Sequence, residues 1–261
     1  MLYKPKKYLG QNFLIDKNIQ RKIVSACDFK VDDTVLEIGA GRGEMTRYIK
    51  DKVAMLYALE IDRGLYGFLK KEFEGERNLK IINKDILKFN INKFFPKSKN
   101  KIKVFGNIPY YITSPIIECL LKFKDRIDSV YITVQKEFAL RIAAKPGSKD
   151  YGSFSCFVQY QSVPKILFFI KKNSFYPAPK VDSCFLRLAI RSTAAVHVNN
   201  ERLFFKIIRS AFNQRRKTLR NSLLDIVSKD KLDDFFLKFS LSPDIRPERL
   251  SLEDFANLAN L

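Results

Sequence analysis

The sequence predicts an α/β chain: a seven-stranded, mostly parallel sheet domain followed by a small all-helical domain. Three observations predict it. Residues 34–43 read TVLEIGAGRG, an apolar, β-branched run ending in three alternating glycines, with EMTRYIKD directly after. Strand, glycine turn and helix make the first unit of a doubly wound, nucleotide-type fold. Further apolar runs recur at 55–62 (MLYALEID), 79–85 (LKIINKD), 101–107 (KIKVFGN), 129–135 (SVYITVQ), 165–170 (KILFFI) and 183–190 (SCFLRLAI), each the length of a buried strand. Beyond residue 200 the pattern changes to helical spacing, with Leu203, Phe204, Ile207, Ile208, Ala211 and Phe212 on one face.

The glycine turn limits the ligand. A dinucleotide fingerprint needs a glycine at position 44, which is Glu44, and no Gly-Lys-Ser/Thr phosphate loop follows. An acidic residue, Glu37, stands beside the turn; it would repel a pyrophosphate and suits a cationic or hydroxyl-bearing ligand. E-x-G-x-G-x-G resembles the pattern of S-adenosylmethionine (SAM) methyltransferases, the alternative being a structural glycine turn in another α/β protein. Glu60, at the end of the second strand, is placed to accept from ribose hydroxyls. Asp85, at the end of the third, can accept from an adenine amine or cap the next element.

Composition narrows the partners. Lys and Arg total 48 against 28 Asp and Glu, a formal charge of +20 in 261 residues. That excess suits a polyanion, nucleic acid before membrane, although a lysine-rich proteome would contribute to it. No apolar run reaches the roughly 18 residues of a membrane span, and MLYKPKKYLG has no signal-peptide core. Cys27, Cys119, Cys156 and Cys184 are scattered and read as buried thiols of a reducing cytoplasm. With His197 the one histidine, a histidine zinc site or a Ser-His-Asp triad is not expected, and no metal is.

At the N-terminus Lys4, Lys6 and Lys7 form a basic arm, either solvated or touching phosphate. Asp16 caps an expected helix at 17–27 carrying Ile19, Ile23 and Val24. The fourth strand runs into Asn107-Ile108-Pro109-Tyr110, at the sheet edge where α/β folds bind ligands. Methylating an exocyclic adenine amine requires acceptors for its two hydrogens, since the nitrogen lone pair is delocalised into the ring. The Asn side-chain oxygen and a nearby backbone carbonyl supply them. Pro109 stiffens the turn, and Tyr110 offers a face for the base and π-density for a developing cation. No strong base is needed.

N-I-P-Y resembles the [NDS]-[IL]-P-[YFW] signature of amino-directed nucleic acid methyltransferases. QNFL (11–14), FYPAPKVDS (175–183), FNQRRKTLRNSL (212–223) and RPERLSLEDF (246–255) resemble, in that order, the ribosomal RNA adenine N6,N6-dimethyltransferase family, in its small-subunit (KsgA-like) branch. The resemblance runs from about residue 6 to the end. It implies a Rossmann-like SAM-dependent methyltransferase domain at 1–190 and a helical rRNA-binding domain at 191–261. It implies SAM contacts at Asn12, Leu14, Gly39, Gly41, Glu60, Asp85 and Asn107. Catalytic roles fall on Asn107, Pro109, Tyr110 and Phe175, the two rings stacking on opposite faces of a flipped adenine. Arg209, Arg215, Arg216, Lys217 and Arg220 form a basic cluster expected to meet RNA phosphates. The implied substrate is two adjacent adenines in a hairpin loop near the 3′ end of small-subunit rRNA, within a pre-30S-like particle. A cytoplasmic monomer is expected, releasing S-adenosylhomocysteine (SAH). The sequence departs from the family at KKNS, before Phe175, and at Tyr111, where Asn is usual. Alternatives are a macrolide-resistance-type large-subunit rRNA methyltransferase and a non-catalytic assembly factor.

Overall fold

The computed structural model describes residues 5–95, 101–213 and 217–261. The chain divides into two compact units, Met1–Ala139 with Lys165–Ile190, and Leu140–Pro164 with Arg191–Leu261.

The first unit is built on strands β1 (Phe13–Leu14), β2 (Thr34–Ile38), β3 (Met55–Leu59), β4 (Leu79–Ile82), β5 (Ile102–Asn107), β6 (Ile127–Gln135), β7 (Ser162–Ile170), β8 (Phe175–Tyr176) and β9 (Ser183–Ile190). Among the described residues β1 and β8 pair alone, and the others form a seven-stranded sheet in the order β4-β3-β2-β5-β6-β9-β7. Strands β2 to β6 pair in parallel, and β9 runs antiparallel to β6. This is the Rossmann-like sheet with one reversed strand that the apolar runs predict.

Buried Val35, Leu36 and Ile38 suit β2 to the interior of the sheet. It lies between β3 and β5, so the strand order reverses there, and ligands of open α/β sheets bind outside the carboxyl ends at such a point. Gly106 permits the close packing at that end: a Cβ would lie 2.8 Å from Ile108 Cγ2 and 3.4 Å from the Ile38 carbonyl. The helix Lys17–Ala26 starts where Asp16 caps it, accepting from Asn18 and Ile19, one residue shorter than expected. Asp62 caps the helix Arg63–Glu72 in the same way.

The second unit is helical. The helix Glu201–Asn213 buries Phe204, Ile207, Ile208, Ala211 and Phe212, the stripe read from the sequence. Residues 140–164, assigned on sequence to the first domain, pack instead within this unit. Tyr151, Cys156 and Tyr160 are buried in one core with Phe204, Phe235 and Phe255. Backbone bonds reinforce the grouping, from Arg191 N–H to Gln161 and from Ala195 N–H to Tyr160. The helix Ser153–Gln161 contributes Cys156 and Tyr160 to this core. Among the described residues no helix is long and apolar enough to cross a membrane.

Candidate active site

A cleft opens at the carboxyl ends of β2, β3 and β5. The turn after β2 forms its floor. Gly39, Gly41 and Gly43 take φ of +72°, +62° and +79°, a left-handed path that L side chains resist. At Gly41 a Cβ would press on the Phe13 ring at 3.2 Å. The turn is held from β3: the Gly39 and Ala40 N–H groups donate to the Leu59 carbonyl, and the Gly41 N–H donates to Glu60 Oε2 at 2.8 Å.

Three carboxylates stand around this turn. Glu60 is 4 % exposed, and its Oε1 accepts the Asp62 N–H at 2.8 Å. Burial raises its pKa above the ordinary range, with the Asp62 and Gly41 N–H groups opposing. Glu37 accepts the Thr46 hydroxyl at 2.7 Å. Burial pushes its pKa up to about 8, Thr46 opposes, and the nearby Glu44 and Glu60 add to the rise. Burial also raises Glu44. Such a site favours a ligand that is cationic, or that donates hydrogen bonds, over a phosphate. Asp85 lines the third strand's side and its Oδ1 caps the following turn at Leu87 N–H, 2.9 Å.

The opposite wall is the turn after β5. Asn107 Nδ2 donates to the Asn12 carbonyl at 3.1 Å. That bond orients the amide and leaves Oδ1 as the acceptor the side chain retains. The Pro109 carbonyl accepts the Ile112 N–H at 3.2 Å. The Tyr110 phenol is hydrogen-bonded to the Ser183 hydroxyl, Ser183 being fully buried. Burial raises the Tyr110 pKa, with Ser183 opposing, so the ring stays neutral.

Asn12, Leu14, Gly39, Gly41, Glu60 and Asp85 all line this one cleft, as do Asn107, Pro109 and Tyr110. Phe175 does not. Its β8 position pairs with Leu14, and its ring is 3 % exposed in a core with Ile23, Val24, Tyr131 and Phe185. As placed, it has no free face for a base; the neighbouring Tyr176 is 56 % exposed. The basic cluster also divides. Arg209 and Lys217 are exposed, whereas Arg220 pairs with Asp233 and lies 5.2 Å over the Phe236 ring. Arg215 and Arg216, like Lys4, lie outside the described residues.

Sequence reasoning did not find the Arg42 guanidinium over the Phe13 ring at 4.2 Å, the Ser183 hydroxyl behind Tyr110, or the ion pair of Lys6 with Asp62. No local pattern signals them, because each joins residues 29 or more positions apart. Among the described residues no group of His, Cys, Asp or Glu is arranged to hold a metal ion.

Comparison with known proteins follows the same lines. A model of the family described as ribosomal RNA adenine dimethylase matches residues 3–261. Ribosomal RNA small subunit methyltransferase A of Clostridium botulinum (strain Okra / Type B1) is 40 % identical over 259 residues, covering 99 % of this chain and 94 % of that protein. The protein of the same name in Caldanaerobacter subterraneus is 43 % identical, covering 98 % and 97 %. Among solved structures, a dimethyladenosine transferase from Plasmodium falciparum superposes with a TM-score of 0.77 at 26 % identity, covering 94 % of this chain and 95 % of that one. The 23S rRNA methyltransferase ErmE shares the fold, with a TM-score of 0.74 at 23 % identity over 95 % and 98 %. Matched over nearly its whole length, the chain belongs to the ribosomal RNA adenine dimethylase family and is a SAM-dependent rRNA methyltransferase.

Proposed function

We propose that the chain dimethylates N6 of two adjacent adenines in a hairpin loop near the 3′ end of small-subunit (16S) rRNA. The observation that carries the chemistry is the Asn107–Asn12 hydrogen bond, which engages the amide nitrogen and leaves its oxygen as the acceptor, on a residue that lines the same cleft as Glu37, Glu44 and Glu60. The rRNA is suggested by relatives 40–43 % identical that bear the name small subunit methyltransferase.

SAM fits this cleft, because buried carboxylates rather than a phosphate cradle surround the glycine turn; when bound it supplies the methyl group. Glu60 holds the ribose side and Asp85 the adenine side, with Asn12, Leu14, Gly39 and Gly41 as further contacts. Asn107 Oδ1 accepts one hydrogen of the target amine, and a backbone carbonyl of 107–109 takes the other. These bonds favour a pyramidal nitrogen with its lone pair directed away from the ring. The Tyr110 ring, fixed at its hydroxyl, stacks on the base and stabilises positive charge as it develops. Two rounds on each base, each replacing one N6 hydrogen by methyl, would leave N6,N6-dimethyladenosine, two molecules of SAH and two protons passed to solvent.

A target in a loop costs less to unstack than one in a duplex. The C-terminal unit, with Arg209 and Lys217 exposed, offers phosphate contacts. In this reading the enzyme works as a cytoplasmic monomer on a pre-30S-like particle during small-subunit assembly.

The test is mass spectrometry of rRNA fragments from cells lacking the protein, with purified protein and labelled SAM added back. Loss and restoration of two adjacent dimethyladenosines in the small subunit is expected. Methylation restored only on large-subunit rRNA would replace this reading with the macrolide-resistance type. No loss at all would leave a non-catalytic assembly factor.

A further inference from the structure

Lys6 lies in the basic arm that the sequence offers as a phosphate contact, but the structure turns it inward. Its ammonium is 2.6 Å from Asp62 Oδ2, on a carboxylate with 0 % side-chain exposure. The other Asp62 oxygen caps a helix, accepting the Gly64 and Leu65 N–H groups at 2.8 and 3.1 Å. The Asp62 N–H in turn donates to Glu60. Lys6 is thereby joined to the side of the cleft that carries Glu60.

The chain then crosses to the other side. The Lys6 N–H donates to Gln11 Oε1 at 2.8 Å, closing a compact loop. Gly10, at φ +61°, backs onto the catalytic turn: a Cβ there would meet Tyr111 Cε1 at 2.9 Å and Pro109 Cβ at 3.1 Å. Asn12 gives its carbonyl to Asn107. Phe13 packs under Arg42 and against Gly41. Residues 6–14 thus form a strap with anchors at Asp62, at the 107–111 turn and at the glycine turn, and residues 9–14 all line the cleft. The Asp62 anchor depends on a side chain 39 % exposed at the strap's outer end.

We infer that Lys6 is a positioning residue, the latch that keeps this strap closed over SAM or SAH and sets how fast they leave. The inference rests on the cofactor reading above. Its physical basis is the buried carboxylate. Removing the ammonium at 2.6 Å takes one ion-pair partner from a carboxylate with 0 % side-chain exposure, which raises the cost of the closed strap and shifts population toward the open form. A bound ligand is then held less long.

The experiment measures release of labelled SAH from the full-length protein, chased with unlabelled SAM, together with KM for SAM and affinity for a target-loop RNA. Lys6→Ala should raise the SAH off-rate about tenfold and KM for SAM in parallel. Lys6→Arg, which restores the cation, should return both toward wild type. RNA affinity at saturating SAH should hold within about twofold, since one buried ion pair adds nothing to the count of phosphate contacts. An unchanged off-rate in Lys6→Ala overturns the latch, and weaker RNA binding beside it would return Lys6 to the phosphate role. A wild-type protein that takes up neither SAM nor SAH overturns the cofactor reading first, and the latch with it.

Discussion

The Asn107 side-chain amide donates to the backbone carbonyl of Asn12, 3.1 Å away and 95 residues earlier in the chain. One hydrogen bond therefore joins the N-terminal strap to the turn after β5 and decides which way the amide points. Asn107→Ala removes the acceptor for the target amine and is expected to lower kcat for methyl transfer by about a hundredfold or more. RNA affinity should stay within a few fold. Methyl incorporation and filter binding on the same preparation check this. Equal loss of both would make Asn107 a structural residue.

Burial of Glu37 sets a pH dependence of stability. Its pKa rises from 4.5 when free to about 8 in the fold. Between those values the folded protein keeps a proton that the unfolded chain has lost. The stabilising contribution is therefore complete below about pH 4.5 and is lost as pH rises toward 8. Glu37→Gln keeps the Thr46 partner and removes the titration. Urea unfolding at pH 5 and pH 8.5 should show a smaller fall in stability for Glu37→Gln than for wild type. The same fall in both would mean that Glu37 is already ionised in the folded state.

Phe175 is expected to act through the core. Its ring is 3 % exposed, so Phe175→Ala should cost about 3–5 kcal/mol of stability, the usual range for an emptied aromatic site. Denaturant titration measures this. Unchanged stability with weaker binding of the target loop would return the ring to the base pocket, and would mean that β8 moves when RNA binds.

Arg209, Lys217 and Arg220 should separate in RNA binding. Arg209→Glu with Lys217→Glu should weaken binding and flatten its dependence on salt, because exposed cations release counterions from phosphate. Arg220→Ala should instead lower stability, its guanidinium being held by Asp233 and Phe236. Binding measured across a salt series, beside thermal unfolding, distinguishes them. An Arg220→Ala variant with native stability and a reduced salt slope would put Arg220 on the RNA surface.

Local patterns made much of this protein legible. The run ending at Ile38, the alternating glycines, the carboxylates at 60 and 85 and the Asn-Ile-Pro-Tyr turn each depend on neighbours within one strand and its turn. Strand period, glycine spacing and strand-end position therefore located the cleft. Helical spacing found the stripe on Glu201–Asn213, because an amphipathic face is written every three or four residues.

What the tertiary structure alone decided are contacts between distant segments. Residues 140–164 joined the second unit because Tyr151, Cys156 and Tyr160 met aromatic partners that no window of sequence displays. Phe175 went into the core because pairing of β8 with β1 set it opposite Leu14, and strand register is a property of two strands together. Lys6 turned inward because a buried carboxylate was waiting 56 residues away. Short-range chemistry determined which groups form the site; packing determined which of them face the ligand, since burial and ion pairing depend on what the rest of the chain brings alongside.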